Sequence, residues 1–176
     1  VRFWRTVAET YLAVVICAFI SFFSGLLAEY SLSLFYTFPF LLVMVPPIND
    51  IAGNVGTILG ARLSSALHLG TIAPRRKGEL YSNMKIVSIS SLLMYAVVSL
   101  VFFLYLMLAG GSGRLALVML LSGLILTPMV ILSSTFLSLL SFAKGLDPDN
   151  ITGPLITSLC DVLGMCSLLL SARLLL

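Results

Sequence analysis

Residues 35–70 read FYTFPFLLVMVPPINDIAGNVGTILGARLSSALHLG, and the number of times this stretch crosses a bilayer decides the architecture of the chain. It is longer than the roughly 20 residues that span a hydrocarbon core about 30 Å thick. It also holds Pro39, Pro46 and Pro47. Each proline removes a helix donor and crowds the preceding turn, so a kink or break is expected. One long broken crossing or two short ones would both fit, and charge chooses between them. With the N-terminus in the cytoplasm and a single crossing, Arg2, Arg5, Arg75, Arg76, Lys77, Lys85 and Lys144 face the cytoplasm, while only Arg114 and Arg173 face outward. Two crossings would put Arg75, Arg76, Lys77, Lys85 and Lys144 opposite Arg2 and Arg5, and the positive-inside bias would be largely lost. The single broken crossing is preferred.

The rest of the chain agrees with a bilayer as its solvent. Of its 176 residues 60% are hydrophobic and 10% charged, with a mean hydropathy of +1.14. A soluble domain carries about 25% charged residues to cover its surface, so this chain has too few. Four further apolar stretches join the one above, giving spans at about 6–28, 35–69, 85–109, 114–142 and 150–174. A secretory signal would be one short stretch at the start, not five. The expected fold is therefore all-α: a polytopic integral membrane protein with five transmembrane helices, the second long and proline-broken, forming a single domain over residues 1–176. The N-terminus is expected in the cytoplasm and the C-terminus outside a cell membrane. A net charge of +3 is too small to indicate nucleic acid. Cys17, Cys160 and Cys166 are odd in number and lie within apolar spans, so they read as packing residues rather than a disulfide framework. Asp147-Pro148-Asp149-Asn150 reads as a turn whose acidic side chain and Asn cap the last span.

Polar groups at membrane depth are costly and usually functional, and they form two clusters. At helical spacing Asp50, Asn54, Thr57, Ala61, Ser64 and His68 share one face, with Ile51, Val55, Ile58, Leu59 and Leu63 expected opposite. A polar stripe of that length should face water or a partner. The second cluster is in the last span, where Asp161 lies about 11 residues inside, near the midplane at 1.5 Å per residue. Thr157 and Gly153 precede it at one and two turns on the same face. Pro154 leaves the carbonyl of Asn150 without its amide donor, and Gly153 opens the backbone to approach. A carboxylate, a hydroxyl and bare carbonyls form an all-oxygen environment that suits a hard cation. Blander roles compete: Asn54 and Thr57 as interhelical hydrogen bonds, Gly53, Gly56 and Gly60 as close-packing positions, Asp50 as a cap, and His68 with Arg75-Arg76-Lys77 as interfacial residues. A structural role fits Asp161 least, because a mid-bilayer aspartate costs roughly 2.5–3.5 kcal/mol even on lenient scales.

The segments PPINDIAGNVGTILGAR (residues 46–62) and DPDNITGPLITSLCDVLG (residues 147–164) resemble the membrane domain of MgtE-type magnesium transporters, and are similar still more closely to the related eukaryotic solute-carrier magnesium transporters. The resemblance rests on a Gly-Asn-x-Gly element followed by an arginine, and on Asp-Pro, Gly-Pro, Thr and Asp-x-x-Gly in order, within the same five-span plan. It implies a homodimer whose second and fifth spans line a pore on the two-fold axis. Asp161 is then the central ligand, with Thr157 acting through its main-chain carbonyl. Gly153 stands where some relatives have a side-chain amide, so any ligand there is main chain. Asn54 matches the asparagine of the second span that faces the same pore. Asp50 joins them on the reading of the residues, as an acceptor of hydrogen bonds from the ion's waters, so the candidate metal residues are Asp161, Thr157, Gly153, Asn54 and Asp50. The implied cargo and bound ion is Mg2+, with other divalent cations possible, in a lipid bilayer and with no organic cofactor. The cytosolic magnesium-sensing domains of the bacterial transporters are not found in these 176 residues, which leaves gating by that route in doubt and allows a fragment or a short member.

Magnesium dehydrates reluctantly and prefers octahedral oxygen, so a grip through its water shell is expected. Two carboxylates on an axis also compete for protons when no cation is present, and conduction needs binding weak enough to release the ion. A proton- or sodium-coupled transporter of another ion is the alternative, since broken helices with open carbonyls serve there too. An enzyme is not expected. Gly110-Gly111-Ser112-Gly113 spells G-x-S-G, but in an expected external loop, and the sole histidine, His68, lies near the opposite face. The Asn150-Ile151-Thr152 triplet falls on the expected cytoplasmic side and reads as coincidence.

Overall fold

A computed structural model describes residues 2–72, 78–109 and 112–176. Arg75, Arg76, Lys77, Gly110 and Gly111, used above, lie outside the described residues. The described residues form six helices and no strand: α1 (Arg2–Tyr30), α2 (Leu32–Thr37), α3 (Phe40–His68), α4 (Gly78–Leu108), α5 (Arg114–Ala143) and α6 (Pro148–Leu175). Five of them are long and apolar enough to cross a bilayer, over Thr6–Tyr30, Phe40–His68, Gly78–Leu108, Arg114–Ala143 and Ile151–Leu175.

The interruption in the second apolar region falls at Phe38-Pro39. Phe38 has φ −129° and ψ 76°, outside the helical region, as expected of a residue whose helical conformation the following proline ring disfavours. Pro39 then opens α3. Pro46 and Pro47 do not break the chain again, because α3 continues through both. Met44 and Ile48, on either side of the pair, are fully buried. The buried Tyr95 hydroxyl of α4 donates to the carbonyl of Ile48 at 3.0 Å, so packing holds this segment helical despite the lost donors.

Glycines end α3 and α5 in the same way. Gly70 (φ 68°) and Gly145 (φ 69°) are left-handed, a conformation that glycine adopts without a Cβ penalty. Each sits in paired closing hydrogen bonds, Gly70 N to Leu67 O and Thr71 N to Ala66 O, then Gly145 N to Phe142 O and Leu146 N to Ser141 O. These are Schellman caps, which satisfy carbonyls at the helix end. At the other end of the loop, α6 starts at Pro148, a residue suited to a first helical position. Asn150 therefore lies inside the first turn instead of capping it.

The helices α3, α5 and α6 form the centre of the bundle. Of the apolar windows of α5 and α6, 56% is buried, against 11% for α1. Helix α6 packs on α1, α3 and α5, whereas α1 and α3 make no contact with each other among the described residues. The two thus flank α6 without meeting. Cys17 and Cys160 are buried packing residues as expected, but Cys166 is exposed.

Candidate functional site

Helices α3 and α6 meet along residues without bulk. A Cβ on Gly53 would stand 3.3 Å from the Thr157 methyl, and one on Gly153 would stand 3.9 Å from the Thr57 methyl. A Cβ on Gly56 would lie 2.6 Å from Ile156 Cγ1, one on Gly60 3.0 Å from Thr152 Cγ2, and one on Gly164 would collide with the side-chain oxygen of Asn49. The pairs run in opposite directions along the chain, so the helices are antiparallel. Small residues allow backbones to approach closely where no hydrophobic force drives helices together. Ser134 of α5 fastens the same seam by donating to the carbonyl of Gly56 at 2.7 Å.

This seam brings the two sequence clusters together. Thr157 and Gly153 touch Gly53 and Thr57 directly. Because the helices are antiparallel, moving from Gly53 to Asp50 and from Thr157 to Asp161 is a displacement in the same direction along the bundle. Asp50, Asn54 and Thr157 are exposed, and Asp161 and Gly153 are half-buried. Thr157 donates its hydroxyl to the carbonyl of Gly153 at 2.8 Å, and Thr57 donates to the carbonyl of Asn54 at 2.9 Å. Both threonines therefore turn their hydroxyls back onto their own helices, and the Gly153 carbonyl already has a donor.

The polar stripe of α3 is displaced from its expected position. Asp50, Asn54, Ala61 and His68 are exposed and Thr57 is half-buried, but Ser64 is fully buried with its hydroxyl unpaired. Ile58, expected on the apolar side, is exposed. Spacing defines a face, but the neighbouring helices decide where its edges lie, and here they cover the edge that carries Ser64.

Two polar contacts and one unpaired polar atom were not visible in the sequence. The Ser21 hydroxyl of α1 donates to Asp161 Oδ2 at 3.2 Å. Ser24, one turn on, donates to the main-chain carbonyl of Asp161 at 2.9 Å. Asn49 lies at the α3–α6 seam with its side-chain oxygen buried and unpaired. The serines are two small residues in the apolar stretch of α1 from Tyr11 to Ala28, with no local signal beyond their spacing of three. Asn49 precedes Asp50 directly but points to the neighbouring side of the helix. Among the described residues no three His, Cys, Asp or Glu side chains converge. Arg62, which closes the Gly-Asn-x-Gly element, donates through Nε to Asn83 Oδ1 of α4 at 2.8 Å and so ties α3 to α4 away from Asp161.

An all-helical, five-span chain with a half-buried aspartate at a glycine-lined helix seam defines a class: polytopic membrane transport proteins. Residues 45–171 match the MgtE family model, described as a divalent cation transporter. The chain also shares 30% identity over 148 residues with mouse solute carrier family 41 member 2. That alignment takes in 74% of this chain and 26% of the relative, so the chain spans about a quarter of the length of the curated relative it matches. No solved structure matches it significantly. The chain belongs to the MgtE family of divalent cation transporters. It is a multi-pass membrane protein of a transporter family and not of an enzyme family.

Proposed function

We propose that the chain carries magnesium through a path lined by α3 and α6 on the axis of a homodimer. The observation that carries this reading is the position of Asp161, half-buried and one turn from the exposed Thr157 that packs on Gly53. A carboxylate so placed needs a positive partner that comes and goes. With one such carboxylate per chain, a two-fold axis supplies the second and keeps the total charge at the site modest. The exposed Asn54 and Asp50 extend the oxygen-rich lining on the opposite helix. Of the main-chain oxygens, Thr157 O is the more available ligand, and Gly153 O joins only when the Thr157 hydroxyl turns away. A hydrated magnesium ion, which keeps several of its waters, suits a lining of spaced oxygens better than a closed cage would.

In this reading residues 1–176 act as one transmembrane unit in a cell membrane, with the N-terminus cytoplasmic and the C-terminus outside. The test is magnesium uptake into proteoliposomes, with and without a membrane potential. Asp161→Asn and Asp161→Ala should abolish uptake while leaving the protein folded and dimeric. Normal uptake by either variant removes the site. Competition among magnesium, calcium, manganese and sodium in the same assay separates this reading from a sodium- or proton-coupled carrier of another ion.

A further inference from the structure

We propose that Ser21 of α1 is a positioning residue that holds the Asp161 carboxylate in a one-oxygen presentation and thereby favours magnesium over calcium; this rests on the reading of Asp161 above. Helix α1 holds this one residue twice, by its side chain through Ser21 and by its main chain through Ser24. The buried side chains of α1 are small, Ala13, Cys17 and Ser24, and α6 is the long helix on which α1 packs. Among the described residues α1 otherwise packs only on α2.

The direction of the Ser21 hydroxyl is informative. In a medium without water a serine on a helix has an easy local acceptor, a carbonyl of its own preceding turn. Ser90, Ser122 and Ser138 take that option, donating to Ile86, Val118 and Ser134 carbonyls, and Ser24, Ser99 and Ser134 reach main-chain carbonyls of neighbouring helices. Ser21 instead donates across the helix interface to Asp161 Oδ2. Docking of α1 is already served by the shorter bond from Ser24 to the main chain, so the second bond acts on the orientation of the carboxylate.

The chemical consequence follows from how the two ions use carboxylates. Calcium takes six to eight oxygens and accepts bidentate carboxylates, whereas magnesium demands octahedral geometry and retains waters. A hydroxyl resting on Oδ2 occupies part of its lone-pair space and fixes the group, leaving Oδ1 to meet the ion or its water shell. Bidentate capture then has to share Oδ2 with the Ser21 bond, on its remaining lone pair.

The experiment compares magnesium uptake, and its inhibition by calcium, for Ser21→Ala, Ser21→Cys, Ser21→Thr and Asp161→Asn in proteoliposomes. Removal of the hydroxyl in Ser21→Ala should raise the KM for magnesium by about tenfold, the scale of one lost hydrogen bond, with a smaller change in kcat. Calcium should then inhibit at correspondingly lower concentration. Ser21→Cys, close in size but a weak donor, should behave like Ser21→Ala, and Ser21→Thr should restore both values. Unchanged KM and calcium inhibition in the alanine and cysteine variants, or failure of threonine to restore them, overturns the inference. If Asp161→Asn abolishes uptake while Ser21→Ala behaves as the parent, the ion site stands and only the role of Ser21 falls. Uptake that survives Asp161→Asn removes both.

Discussion

Thr157 stands against Gly53, its methyl 3.3 Å from where a Cβ on that glycine would lie, and this contact joins the two helices that carry every candidate ion-binding residue. The separation of α3 and α6 is therefore set by hydrogen atoms in place of side chains. Any side chain introduced along the seam changes both stability and the width of the proposed path.

Gly56→Ala tests the seam. The added Cβ would meet Ile156 Cγ1 at 2.6 Å and Val130 Cγ1 at 3.2 Å. Overpacking of this kind costs about 1–3 kcal/mol, more than the roughly 1 kcal/mol that alanine gains over glycine in a helix. Gly25→Ala in α1 is the matched control, with nothing within 4 Å of its added Cβ. Thermal unfolding in detergent should show a loss for the first and no loss for the second. Equal midpoints for both would mean that the seam gives way freely.

Asn54→Ala removes an exposed amide from the exposed side of α3 while leaving the buried face untouched. Insertion and thermal stability should be unchanged, and the flux ratio of magnesium to calcium or manganese should shift. If flux and selectivity both match the parent, Asn54 has no part in the path.

Tyr95→Phe deletes the hydroxyl that donates to Ile48 just after the two prolines. Interhelical hydrogen bonds in membranes average about 0.6 kcal/mol, and the Ile48 carbonyl keeps its place in the helical ladder of α3. Unfolding in detergent should register a loss of about that size, with insertion unaffected. An unaltered midpoint would show that Tyr95 holds α3 by its ring alone, which is seated over Gly123.

The orientation is testable by labelling single cysteines from each side in a background free of Cys17, Cys160 and Cys166. Cysteines at Leu69 and Lys144 should react from the cytoplasmic side, and those at Tyr30 and Leu176 from the opposite side. Both termini reacting from one side would overturn the five-span orientation.

The number of crossings was legible in the sequence because hydropathy adds up along a chain and needs no partner to be felt. Asp161 stood out for the same reason: a charge in an apolar run is a local anomaly. The glycines at positions 53, 56 and 60 were readable as close-packing residues, though not what they would pack against. A proline-broken second crossing was expected with three prolines as candidates, whereas the crossing Phe40–His68 runs on unbroken and the interruption at Pro39 precedes it. Only the packing around Met44, Ile48 and Tyr95 separated Pro39, where the helix stops, from Pro46 and Pro47, where it continues.

The tertiary structure alone decided which oxygens meet. Ser21 and Asp161 lie 140 residues apart in sequence, and a serine in the apolar stretch of α1 carries no mark of the acceptor it will find. The burial of Ser64 and the exposure of Ile58 were undetermined in the same sense. Helical periodicity assigns side chains to faces, but which face is covered depends on where neighbouring helices lie, and that is settled only when small residues such as Gly53 and Gly164 let those helices close on one another.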